Sequence, residues 1–159
     1  MECRMKLTKG CIAVLLLGLL LTGCSTKDFV IHSLPEYTHR EFYTYGGFQD
    51  FTDYGIYTFS PFDEAKLEEN LYFEMIADVE KVMPYIENFE NWVRISPMDS
   101  ELVLHYNFDK TRIDGADYYY IDSKEGEPIG SGTYRKFDNY DVYFFDTDSW
   151  TLYYFHSNI

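Results

Sequence analysis

The stretch Tyr140–His156, YDVYFFDTDSWTLYYFH, decides the fold. Two runs rich in tyrosine, phenylalanine, valine and leucine, Tyr140–Asp146 and Thr151–His156, flank Thr147-Asp148-Ser149-Trp150. β-branched and aromatic residues on both sides of a short polar segment predict an antiparallel hairpin. Centring the turn on Asp148 sets Val142 opposite Tyr154, Phe144 opposite Leu152 and Tyr140 opposite His156. The other side then carries Tyr143 against Tyr153 and Asp141 against Phe155. Both faces are thus rich in apolar or aromatic groups, whereas a sheet with one wet face alternates apolar with polar. Both faces are therefore expected to be covered, or one of them to be an exposed aromatic platform.

Upstream, the pattern continues as short strands. Glu101–Phe108 (ELVLHYNF) alternates, with Leu102, Leu104, Tyr106 and Phe108 on one side. Asp117–Asp122 follows, then the turn-rich Ser123–Gly132 and a short run beginning at Thr133. Before these, the period changes. Ile86, Phe89 and Val93, with Tyr85 and Trp92 beside them, make an apolar stripe at helical spacing, so a helix runs from near Val79 or Pro84 to Arg94. Ser60-Pro61-Phe62-Asp63 carries a cap, a proline and an acid in helix-start order, predicting a helix from Pro61 to about Asn70. Phe42–Tyr45 and Tyr54–Phe59 are short strand candidates separated by the Gly46-Gly47 break. No strand–helix–strand alternation occurs. The expected class is α+β, about two helices followed by an antiparallel sheet of four to six short strands ending in the hairpin.

The N-terminus reads differently. Arg4, Lys6 and Lys9 precede an apolar run of eleven residues, Cys11–Leu21, which ends at Leu21-Thr22-Gly23-Cys24. Such a run rises about 16 Å as a helix, roughly half of a ~30 Å hydrocarbon core, so it has the length of a secretory signal and not of a span. Leu21-Thr22-Gly23-Cys24 resembles the lipobox of bacterial lipoproteins: an aliphatic residue, a small or hydroxyl residue, Gly or Ala, then an obligatory cysteine. The resemblance implies diacylglyceryl attachment at Cys24, cleavage between Gly23 and Cys24, and a partner that is the membrane itself. It places the protein on the cell membrane or the outer membrane with its domain outside the cytoplasm. Two or three acyl chains at about 0.8 kcal/mol per buried methylene hold such a protein stably, where one chain holds marginally. The resulting organisation is a signal peptide at 1–23, a tether or irregular lead-in at 24–40, and a single α+β domain at 41–159.

Composition narrows the function. The chain has 13 Lys+Arg and 27 Asp+Glu; removing residues 1–23 takes away three basic residues and one acid, leaving 10 against 26, a charge of −16. That surface repels phosphate backbones and disfavours nucleic-acid binding. Cys3 and Cys11 leave with the signal and Cys24 carries lipid, so the exported part has no disulfide, thiolate metal site or catalytic cysteine. His32, His39, His105 and His156 have no recognised metal-ligand spacing, and acids at Asp109, Asp114, Asp117, Asp138, Asp141, Asp146 and Asp148 lack the spacing of a calcium loop. Neither G-x-S-x-G nor S-x-x-K is present. No metal or cofactor is implied, and no catalytic residue is assigned. Tyr143, Trp150, Tyr153 and Phe155 are the candidates for stacking on a sugar or a peptide. The expected role is non-enzymatic binding of a protein or carbohydrate at the cell envelope. The alternatives are a carboxylate-dependent hydrolase outside the cytoplasm and an acidic inhibitor or self-protection protein.

Overall fold

The computed structural model describes residues 29–47 and 50–159. Gly23, Cys24 and the whole predicted signal segment lie outside the described residues. The chain divides into two compact units at Ser33. Within the first, Phe29–His32 forms one helical turn, α1. Among the described residues no helix is long and apolar enough to cross a membrane.

The second unit is built on one six-stranded sheet, with every neighbouring pair antiparallel. Its strands are β1 (Tyr37–Gly46), β2 (Phe51–Phe59), β3 (Glu74–Met75), β4 (Tyr118–Ser123), β7 (Asn139–Asp146) and β8 (Thr151–Asn158), in the order β1-β2-β8-β7-β4-β3. Between β4 and β7, β5 (Pro128–Ile129) and β6 (Gly132–Thr133) make a separate two-stranded hairpin. The α+β class holds. The order of elements differs from expectation, because β1 and β2 precede the helices and join the C-terminal hairpin through β2 and β8. β1 also starts at Tyr37, within the stretch read as lead-in.

The C-terminal hairpin forms one residue out of the expected register. Val142 faces Phe155, Tyr143 faces Tyr154 and Phe144 faces Tyr153. The cause is Trp150, which takes a left-handed conformation (φ 51°) and makes the connection four residues long. A one-residue slip moves every side chain of a strand to the opposite face. Tyr153 and Phe155 thus join Tyr140, Val142 and Phe144 on the inner face, and Leu152 and Tyr154 join Tyr143 and Phe145 on the outer.

On the inner face Tyr54, Ile56, Tyr119, Val142, Phe144 and Phe155 pack against the helical layer. α3 (Met83–Ile95), with Pro84 in its first turn, supplies Ile86 and Phe89, both fully buried, as the stripe predicts. Asp78 caps the 3-10 turn (Val79–Lys81) before it by accepting the Glu80 N–H at 3.0 Å. Glu101–His105 corrects the strand expectation. It is a helical turn, α4, because the Ser100 hydroxyl accepts the Val103 N–H at 3.3 Å as an N-cap. Leu102 is buried while Leu104 faces out, and beyond the turn Tyr106 and Phe108 still reach the core.

The helix expected from Pro61 to Asn70 is reduced to α2 (Ala65–Glu68). Phe62 is drawn instead onto the outer face of the sheet, 5.8 Å from Phe145 and 4.8 Å from Trp150, which keeps residues 60–63 out of the helix. Phe73 approaches Phe145 from the same side at 6.5 Å. One end of the outer face is thereby closed by residues 62–73.

Candidate functional site

The two edges of the sheet are β1 and β3. β1 is ten residues long and, among the described residues, pairs only with β2. Among the described residues no backbone or side-chain group bonds its outward N–H and C=O groups. α4 leans on its inner face, where Tyr43 stacks on His105 (4.3 Å, 3° between planes) and donates its hydroxyl to Glu41 Oε2 at 2.6 Å. That hydrogen bond pushes the Tyr43 hydroxyl up to about 12 and holds the Glu41 carboxyl below its usual range. On the outer face Arg40 lies over the rings of Phe42 (4.9 Å) and Tyr57 (5.6 Å). Phe42 in turn crosses β2 at Gly55 to stack on Tyr154 (6.1 Å, 18°). A Cβ at Gly55 would sit 3.2 Å from Phe42 and 2.9 Å from Tyr57, so glycine is what permits the crossing.

An acidic row starts at this edge and runs across the outer face. Pairing in register places Thr44, Asp53, His156, Asp141 and Asp122 side by side on β1, β2, β8, β7 and β4. Asp141 Oδ1 receives the Tyr154 hydroxyl at 2.6 Å and faces His156 Nδ1 at 2.9 Å. Phe51 covers the imidazole at 4.8 Å. Asp53 is buried, and that burial pushes its carboxyl above the ordinary range, against the opposing pull of a Thr44 hydrogen bond and of His156. Asp53 Oδ1 and His156 Nε2 are both shielded from solvent and have no hydrogen-bond partner among the described residues. Tyr154 is likewise raised, chiefly by burial.

A second group of acids sits at the opposite end of the sheet, held by backbone N–H groups and one ion pair. Asp117 accepts the N–H of Asp114 (2.9 Å) and of Thr147 (3.0 Å), tying the entry of β4 to the β7–β8 turn. Asp146 accepts the Ser149 N–H at 2.9 Å, and its Oδ2 lies 2.6 Å from Arg112 Nη2, a contact made by charge without hydrogen-bond alignment. Arg112 also donates to the Tyr153 hydroxyl at 3.0 Å. These acids are fasteners for the turn.

The aromatic residues selected from sequence fall in three places. Tyr153 and Phe155 are in the inner core, 4.8 Å and 5.1 Å from Phe108. Tyr143 is on the outer face between Tyr120 and Tyr154, and Trp150 is in the hairpin turn against Phe62. Among the described residues no three His, Cys, Asp or Glu side chains converge as a metal-ligand set. An open cleft of about 450 Å³ lies between residues 33–35 and 66–72, with Lys66 and Glu69 on its wall. The sequence gives no signal for the edge or for the acidic row, because both depend on β2 pairing with β8 across most of the chain. No family model matches this chain, and neither the curated proteins nor the solved structures contain a match.

Proposed function

We propose that this chain is an exported lipoprotein, anchored through acyl groups on Cys24 to the cell membrane or outer membrane, whose domain works by binding a protein partner outside the cytoplasm. One observation carries the binding part: the ten-residue strand β1 presents a rim at the sheet edge that is unpaired among the described residues. Adding a strand to such an edge gives affinity through backbone hydrogen bonds and specificity through alternate side chains. The edge favours a polypeptide over a sugar, because a sugar cannot continue the ladder. Leu21-Thr22-Gly23-Cys24 supports the anchor, and the −16 charge after Gly23 holds the domain away from an anionic bilayer.

Two measurements test this. Radiolabelled palmitate should mark the wild-type chain and not Cys24→Ala, which should leave the membrane fraction; equal labelling of both removes the anchor. Twelve-residue peptides selected from an unbiased display library on the full-length chain in neutral detergent should slow amide exchange in β1. Selected peptides that slow exchange elsewhere and leave β1 unchanged remove the edge.

A carboxylate-dependent hydrolase is the second reading, favoured by the convergence of Asp53 and Asp141 on His156. It is weaker because Asp53 Oδ1 and His156 Nε2 are shielded from any substrate in this conformation. Hydrolysis of a glycoside panel by the wild type and not by Asp53→Asn would restore it.

A further inference from the structure

We infer that the segment added to β1 is basic on one face and apolar on the other, an inference that rests on the edge-binding reading above. An incoming strand places alternate side chains on the two sides of the sheet. On the inner side its neighbours are Glu41 and Tyr43, whose hydroxyl is already given to Glu41. On the outer side they are Phe42, which is 38% exposed, and Thr44. A lysine or arginine suits the Glu41 side, and an aliphatic residue suits the Phe42 side.

The surrounding charge has the same sign as Glu41. Glu36 precedes the strand, Asp50 lies in the β1–β2 connection, and Glu101 stands on α4, which packs against β1. Arg40 is the one Lys or Arg within β1 and is spread over two rings, while His39 faces Glu41 at 3.3 Å. A second copy is the obvious rival occupant, since antiparallel pairing of two β1 strands would be symmetric. It would bring two domains of charge −16 to an inter-strand distance of about 4.8 Å, within the ~8 Å screening length at physiological salt. A basic extended segment removes that repulsion and a second copy doubles it.

The test uses the full-length chain in neutral detergent with three ten-residue peptides: alternating lysine and valine, alternating glutamate and valine, and the lysine peptide N-methylated at alternate amides. The lysine peptide should bind roughly tenfold tighter than the glutamate peptide at low salt, with the gap narrowing as salt is added. It should slow exchange of β1 amides, and N-methylation should abolish that protection. Equal binding of lysine and glutamate peptides overturns the basic-partner inference while leaving the edge intact. An N-methylated peptide that binds as tightly as its parent overturns strand pairing itself. A concentration-dependent dimer that protects β1 amides in the absence of peptide identifies a second copy as the occupant and overturns the inference.

Discussion

The two edges of this sheet are treated in opposite ways. β3 is two residues long, and beyond it the Ile76 N–H bonds to the Asp117 carbonyl at 2.8 Å, while Tyr119 reaches Glu74 at 3.2 Å. A very short strand offers little to an intruding chain. β1 at the other edge runs ten residues with its outer rim unpaired among the described residues. His39-Arg40-Glu41 places charge on the edge and the pairing with β2 shifts register between Tyr37 and His39, both common guards against indiscriminate pairing, yet from His39 on the strand is not shortened, interrupted by proline or, among the described residues, covered. An edge that is long, guarded by charge and by an irregularity at one end alone, and close to other acids is suited to selective pairing.

The comparison breaks most completely if its centre is removed. Deleting Tyr140–Ile159 takes out β7 and β8, leaving β1-β2 and β4-β3 as unconnected ribbons. The truncated chain should show no cooperative thermal transition; a sharp transition would mean the edges are held by something other than the central pair. Phe155→Ala is the next largest change. Phe155 is fully buried on β8, with Phe89 at 5.2 Å and Tyr54 at 5.6 Å, so the loss should be about 3–5 kcal/mol by urea unfolding. A loss below about 1 kcal/mol would place the core elsewhere.

Asp117→Ala sharpens the account of the closed edge. It leaves the Asp114 and Thr147 N–H groups without their acceptor and should cost about 1–3 kcal/mol. Exchange at Ile76 should quicken, because its acceptor is the Asp117 carbonyl, while β1 exchange stays as it was. The smallest effect is at Asp53. Burial raises its folded-state pKa, so its contribution to stability is fully present below the unfolded carboxylate pKa and is lost as pH rises through the folded one. Asp53→Asn cannot ionise. It should raise the urea midpoint over wild type at neutral pH, with the gain shrinking as pH falls into the ordinary carboxylate range. A gain independent of pH would show that charge is not the cause. Asp117, also raised by burial, is common to both proteins and cancels in the comparison.

Local chemistry was legible wherever one period dominated. The spacing of Ile86, Phe89 and Val93 identified α3, and the aromatic runs identified β7 and β8. Misreadings arose where a single residue redirected the backbone. Trp150 adopts a left-handed conformation that nothing in TDSW announces, and so shifts the hairpin by one residue. Ser100 caps a helical turn through an alternating segment, a signal present in the sequence but outweighed by the alternation of Leu102, Leu104 and Tyr106. The acidic row and the open edge were not legible. They exist because β2 pairs with β8, bringing Asp53 beside His156, and sequence patterns carry no partner for a strand.

The open edge is tested most directly by amide hydrogen exchange on the full-length chain without any partner. Inter-strand bonds of an antiparallel pair alternate, so every second β1 amide points outward. Alternate N–H groups from His39 to Gly46, where the ladder with β2 is regular, should exchange fast while those of β2 and β8 are strongly protected, and Ile76 at the closed edge should be protected as well. Uniform protection along β1 would mean that the rim is already covered and would contradict the account.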